Sequence, residues 1–336
     1  MNINSLSEEQ LAGQRLMVGF NGTKLNDELQ FLIRELRVGG IILFSRNLET
    51  PDQIEALCES AQGFADKCGQ PALLISIDQE GGKVARLKEP FTRFPGNPSM
   101  TGEADAVRFA EITASELSGL GVNMDMAPVL DVIPETGNSV MATRAFGDDP
   151  GWVSRLGTEV IRHLQQNNIM AVAKHFPGIG RTTLDSHDDL PTVAVDLNTL
   201  NQTDLVPFKA AMAQNVAGMM VSHIMYDQID DQWPASLSSL VANDLLRKTM
   251  GYGGVVITDD LDMGAIQNHY DIHTIMKQIL NAEIDIALIC HSLNQMETAF
   301  RLSLDFLKRS PENMQKGIRS VERILSLKDR YLGVEF

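Results

Sequence analysis

Eight short runs of Val, Ile, Leu and Met recur along the 336-residue chain, each followed by a segment of helical periodicity. They fall near 16–20, 39–44, 73–77, 121–130, 169–173, 217–221, 254–257 and 284–289. None shows the polar alternation of a half-exposed strand, so each must bury both faces, as strands do in a parallel sheet covered by helices. Between the first two runs, Asn26 stands as a capping side chain ahead of Leu29, Leu32, Ile33 and Leu36. Thr50-Pro51-Asp52-Gln53 reads as a capping box with Pro at the first helical position, followed by Ile54, Leu57, Cys58 and Ala61 on one face. Further helices are predicted near 103–119, 151–167, 205–214, 238–249, 271–282, 293–307 and 312–331. This alternation predicts an α/β fold, a (β/α)8 TIM-type barrel, with 1–336 forming one domain closed by the C-terminal helix. A doubly wound sheet is the rival, but it would usually place a Gly-rich turn after an early strand, and Gly39-Gly40 precedes its strand.

Charge and composition narrow the partners. With 28 Lys and Arg against 44 Asp and Glu, the formal charge is −16, which repels phosphate backbones and argues against nucleic acid. A 43% hydrophobic and 21% charged composition excludes disordered, collagen-like and coiled-coil classes. No apolar run approaches the ~20 residues of a membrane span, and the first ten residues lack the basic and apolar regions of a signal peptide. Three cysteines, Cys58, Cys68 and Cys290, fit a reducing compartment better than a disulfide scaffold. A cytoplasmic location is therefore expected. The oligomeric state is left open.

In a barrel, chemistry gathers where strands end. The third run ends in Asp78-Gln79-Glu80-Gly81-Gly82, with Arg86 following, and the fourth leads into Asp131 and a loop holding Arg144. The fifth ends in Lys174-His175-Phe176-Pro177-Gly178, the sixth in Ser222-His223, the seventh in Thr258-Asp259-Asp260 and the eighth in Cys290-His291. Within the segment 174–191, Asp185 and His187 lie two apart. In extended chain they share a face, where the carboxylate would fix the imidazole tautomer and raise its basicity; alternatively both simply form turns in a solvated loop. Gly178 and Gly180 and the absence of any apolar anchor but Leu184 predict a mobile loop. Asp259 would point into the barrel mouth as a nucleophile or metal ligand, unless it or Asp260 caps a helix starting near Leu261. Arg86, Arg144 and Lys174 suggest a site for hydroxyls or a carboxylate. His223 and His291 read better as core or rim residues than as catalysts.

Together these pieces resemble glycoside hydrolase family 3, and within it the single-domain β-N-acetylglucosaminidases of cell-wall recycling. The matching elements are Gly39 to Asn47, Asp78 to Gly82, Ala127 to Asp131, Lys174 to His187 and Thr258 to Leu261, in family order. The resemblance implies a retaining hydrolase with Asp259 as nucleophile and the Asp185–His187 pair as acid/base. It also implies that Asp78, Arg86, Arg144, Lys174 and His175 hold a terminal N-acetylglucosamine. Members usually carry Gly-His-Gly where this sequence has Gly178-Ile179-Gly180, so a loop histidine is missing while the acid/base pair survives. The extra C-terminal sandwich domain of larger relatives is not expected, which favours the N-acetylglucosaminidases over β-glucosidases.

Glycosidic cleavage needs an acid for the leaving oxygen and a nucleophile or base across the sugar ring, and Asp259 with the aspartate-buttressed His187 can meet both needs. No cofactor and no metal are expected. A metal-dependent barrel hydrolase could use His175, Asp185, His187, His223 and Asp259, but no His-x-His follows the first strand. Phosphorolysis is a second alternative, because an imidazole does not repel phosphate as a carboxylate would. A non-catalytic sugar-binding barrel is the third. The aglycone, including any anhydromuramyl-peptide, is not legible in the residues.

Overall fold

The strands of the barrel run β1 (Leu16–Val18), β2 (Gly40–Leu43), β3 (Leu74–Ile77), β6 (Met124–Asp125), β7 (Met170–Phe176), β8 (Gly218–Val221), β9 (Val255–Asp260) and β10 (Ile286–Ile289). β4 (Gln79–Gly81) and β5 (Val84–Ala85) form a separate antiparallel hairpin that leaves the end of β3. The eight parallel strands close in the order β1-β10-β9-β8-β7-β6-β3-β2. The computed structural model describes residues 3–135 and 138–333. The predicted (β/α)8 barrel is therefore present, with all eight apolar runs in its wall.

Period-two alternation explains why those runs are apolar throughout. Met17, Ile42, Leu74, Met124, Met170, Val172, Met220, Ile257 and Leu288 fill the barrel interior. Their neighbours Leu16, Val18, Ile41, Leu43, Ile75, Ala171, Met219 and Val256 pack outward beneath the helices. The same parity, carried past the apolar rows, projects a different chemistry upward. Asp78 follows Leu74 and Ser76, Lys174 follows Met170 and Val172, and Asp259 follows Val255 and Ile257. Ile324 and Leu327 of the C-terminal helix (Pro311–Leu332) join the interior cluster. That helix is tethered by the buried Lys328, whose Nζ donates to Gln14 Oε1 at 2.6 Å and to the Gly39 carbonyl at 2.9 Å.

Most predicted helices appear close to their expected positions, including Glu103–Gly119, Pro150–Gln166, Leu205–Ala213, Ile272–Asn281 and Leu293–Arg309. Asn26 caps its helix through Leu29 N–H at 3.0 Å, as the spacing predicts. Four expectations are corrected. The fourth run is a regular strand only over Met124–Asp125; Pro128 has no N–H to continue the ladder toward β3, while the β7 side bonds on through the Ala127 and Pro128 carbonyls and a bridge at Val129–Lys174. Thr50 accepts from Gln53 N–H, but the Gln53 side chain accepts from Glu49 N–H instead of Thr50, so the capping box is only half formed. The segment Leu240–Thr249 winds as a π-helix. The helix expected near Leu261 starts at Gly264, and β9 runs through both Asp259 and Asp260. Among the described residues, no helix is long and apolar enough to cross a membrane.

Candidate active site

A cavity of about 430 Å³ opens at the C-terminal ends of the strands. It is lined by Asp78, Arg86, Arg144, Lys174, His175, Asp185, His187 and Asp259, so all eight sequence-predicted site residues meet in one place. A second cavity, about 590 Å³, lies at the opposite end between Gly251–Val255 and Arg319, Arg323 and Arg330 of the C-terminal helix, and holds none of them.

The floor is an ion network. Lys174, only 2% exposed, donates to Asp78 Oδ1 at 2.9 Å and lies 2.6 Å from Glu80 Oε1. Arg86 reaches Asp78 Oδ2 at 3.0 Å, and Arg144 clasps Glu80 through Nε at 2.9 Å and Nη2 at 2.6 Å. Burial would raise both carboxyls, but Lys174 with Arg86 or Arg144 outweighs it and holds Asp78 and Glu80 below the usual carboxylate range. Burial would likewise lower Lys174, and its two carboxylates raise it. Three cations thus face two internal carboxylates. Arg86, Arg144 and Lys174, which the sequence suggests as a site for hydroxyls or a carboxylate, are ion-paired within the protein, which fixes their position. Glu80, placed by the hairpin at 1% side-chain exposure, is the partner that strand-end reasoning missed.

A second arrangement missed from sequence supports His175. Asp131 is fully buried and accepts from His175 Nδ1 at 2.8 Å, His175 N–H at 3.3 Å and Ile179 N–H at 2.8 Å. Because a carboxylate only accepts, Nδ1 carries a proton, and in the neutral ring Nε2 is then the acceptor, 3.5 Å from Arg144 Nη2. Both acids lie within motifs visible in the sequence, Asp131 directly after the fourth apolar run, but nothing local names their partners. Glu80 and Asp131 become legible only when the hairpin and the loop after Pro128 fold back.

Asp259 lies beside this network. Burial alone would raise its carboxyl, but His175 and His223, the Asp260 N–H at 2.8 Å and Lys174 together lower it, favouring the ionised form a nucleophile needs. Asp260 differs: burial and then the charges of Asp262 and Asp259 push it up to about 7. It caps no helix at Leu261; its Oδ1 accepts from Asp262 N–H and Cys290 N–H. His223 is a core residue, as the sequence suggested. Its Nε2 faces the Asp260 carbonyl at 2.9 Å and must donate, so Nδ1 accepts from Ser236 at 2.7 Å, and burial keeps the ring below its ordinary pKa. His291 is a rim residue beside Phe44 and Arg46.

The Asp185–His187 pair forms, but through a turn. Asp185 Oδ1 accepts both His187 N–H at 2.9 Å and Nδ1–H at 2.7 Å, so turn formation and imidazole support are the same interaction. Burial would raise Asp185, and these two donors hold it down. Leu184 is not the loop's anchor, being 41% exposed; the buried apolar residue is Ile179, in the Gly-Ile-Gly stretch. Gly180 is required there, since a Cβ would sit 1.9 Å from the Val132 carbonyl.

A parallel barrel with a carboxylate at one strand end, an imidazole on a neighbouring loop and charged hydrogen-bonding groups between them has the layout of a barrel enzyme site at its C-terminal face. The chain belongs to glycoside hydrolase family 3: the pattern of the glycosyl hydrolase family 3 N terminal domain matches residues 7–327. It is 33% identical to a beta-hexosaminidase of Pseudomonas aeruginosa, over 90% of each chain. It is also 33% identical to beta-hexosaminidase A of Pseudoalteromonas piscicida, covering 97% of this chain and 61% of that protein. A glycoside hydrolase family 3 beta-N-acetylglucosaminidase from Paenibacillus sp. str. FPU-7 superposes with a TM-score of 0.94 at 39% identity, covering 99% of this chain and 64% of that one. The chain thus spans less than two thirds of the length of the last two.

Proposed function

We propose that this protein is a retaining exo-β-N-acetylglucosaminidase that releases terminal N-acetylglucosamine from cell-wall fragments through a covalent glycosyl-enzyme. The observation that carries this reading is the sharing of one cavity by Asp259 and the Asp185–His187 pair, with the ion network lining it. The names of the relatives support the sugar.

In the first step an Asp259 oxygen attacks the anomeric carbon, and the bond to the leaving oxygen breaks as His187 Nε2 gives it a proton. Nδ1–H stays on Asp185, which offsets the imidazolium charge before transfer and fixes the ring. In the second step His187 Nε2 takes a proton from water, the resulting hydroxide attacks the anomeric carbon and Asp259 leaves. Two inversions give net retention. Asp78 accepts from sugar hydroxyls, and Arg86, Arg144 and Lys174 donate to them.

The test uses an aryl N-acetylglucosaminide with product stereochemistry followed by NMR, with and without phosphate. The β-anomer of the free sugar supports the reading. An α-anomer as first product overturns retention, and accumulation of a sugar phosphate would replace hydrolysis by phosphorolysis. Labelling by a 5-fluoro glycosyl fluoride, mapped by mass spectrometry, should fall on Asp259.

A further inference from the structure

The loop carrying His187 is fastened to the chain that follows the nucleophile. Gly264 N–H donates to the His187 carbonyl at 3.1 Å and Ala265 N–H to the Ser186 carbonyl at 3.0 Å. Asn268 Nδ2 donates to the Asp188 carbonyl at 3.2 Å, and His269 Nε2 lies 2.5 Å from Asp189 Oδ1. Gly264 allows this approach: a Cβ there would stand 2.5 Å from the Asp188 carbonyl and 2.7 Å from that of His187. Asp189 also accepts from Leu190 N–H at 2.8 Å, so its carboxylate ties the loop's far end to its own backbone. His269 rests against Tyr270, which packs on Trp233.

Burial does not hold the acid/base pair in place. The His187 and Asp185 side chains are 66% and 52% exposed. Their placement depends on the turn and on what the turn is fastened to. We infer that Asp189 and His269 are positioning residues: they clamp the His187 turn to the segment after Asp259, so that the proton-handling group and the nucleophile are carried on one connected unit. The inference rests on reading His187 as the acid/base. It also accounts for how a loop with glycines at 178 and 180 can deliver a proton to a defined atom, because Ile179 anchors only the loop's start and the clamp orders the exposed part around His187.

The clamp pair itself is a partly exposed surface ion pair, at 40% and 57% exposure, so it adds little to global stability. That separates positioning from folding. The experiment compares His269→Ala, His269→Gln and His187→Ala with the parent on two substrates: a 4-nitrophenyl N-acetylglucosaminide and the disaccharide of N-acetylglucosamine. General acid catalysis contributes about 10²–10⁴-fold where the leaving group is poor. His187→Ala should lose that much on the disaccharide and far less on the aryl substrate. His269→Ala should lose about tenfold on the disaccharide, stay within about twofold on the aryl substrate, and melt at the parent's temperature. His269→Gln, which keeps an N–H donor, should recover most of the loss.

Parent-like turnover of the disaccharide by His269→Ala, beside a normal His187→Ala response, would overturn the clamp alone. Equal losses of His269→Ala on both substrates would also overturn it, by showing a general structural role. Equal losses of His187→Ala on both substrates would overturn the acid assignment and the clamp's purpose with it.

Discussion

Asp131→Asn is the most informative single change, because it alters hydrogen bonding without changing size. The native carboxylate serves three buried N–H donors: Ile179 N at 2.8 Å, His175 N at 3.3 Å and His175 Nδ1 at 2.8 Å. An asparagine has one acceptor oxygen. If that oxygen stays on Nδ1–H, its NH2 faces two backbone donors and both lose their partner. If it turns to the backbone, its NH2 faces Nδ1 and forces the ring proton onto Nε2, toward Arg144 Nη2 at 3.5 Å. Either way a bond to a charged acceptor is lost, worth about 1.5–3 kcal/mol. The second outcome also changes the face His175 offers to the cavity from acceptor to donor. If that face meets substrate in the transition state, the same energy corresponds to a loss of roughly 10- to 150-fold in kcat/KM. The assay pairs aryl N-acetylglucosaminidase kinetics with urea unfolding and nitrogen NMR of the labelled imidazole. Activity within twofold of the parent, with the Nδ1–H tautomer retained and stability unchanged, would refute the reasoning.

Three further outcomes are expected. Asp259→Asn should lower turnover by about 10⁴-fold or more if the covalent step is lost, and activity within tenfold would remove Asp259 from the nucleophile's role. Asp260, held up to about 7 by burial and by Asp262 and Asp259, should ionise beside Asp259 as the pH rises through neutrality; Asp260→Asn should therefore extend activity to higher pH, and an unshifted pH profile of kcat/KM would count against this. Lys328, fully buried, has its amine pushed down to about 7 from 10.5. The unfolded chain then binds more protons between these values, so stability should rise with pH across that window, by up to ~1.4 kcal/mol per unit. Lys328→Met should lose this slope in denaturant titrations from pH 7 to 10, and parallel curves for the two proteins would refute it.

How much of this was legible beforehand depended on whether a residue's place follows from local periodicity. The eight apolar runs are readable because two-sided burial removes polar alternation, and the same period of two carries Asp78, Lys174 and Asp259 into the mouth. Asp185 and His187 are close in sequence, so their contact was foreseeable, although an Asx-type turn makes it and not an extended strand. Local hydrophobicity points to Leu184 as the anchor but does not say which apolar residue faces the core, and in the fold it is Ile179 that does. The helix expected near Leu261 begins later, at Gly264, because β9 extends to Asp260 and its two acids serve the cavity and a turn.

The barrel architecture and the eight residues that meet at the C-terminal ends of its strands are legible from residue order alone, since they follow from strand and helix periods together with motif order. The partners of those residues come from the folded chain. Glu80 lies 2.6 Å from Lys174 across 94 residues of chain, Asp131 orients His175 across 44, and Asp189 meets His269 across 80. Such pairs depend on where closed strands bring distant loops together, and no local pattern encodes that juxtaposition. Charges buried as deeply as Glu80, Asp131 and Lys174 need partners to persist, so the fold settles which acid stands beside which base.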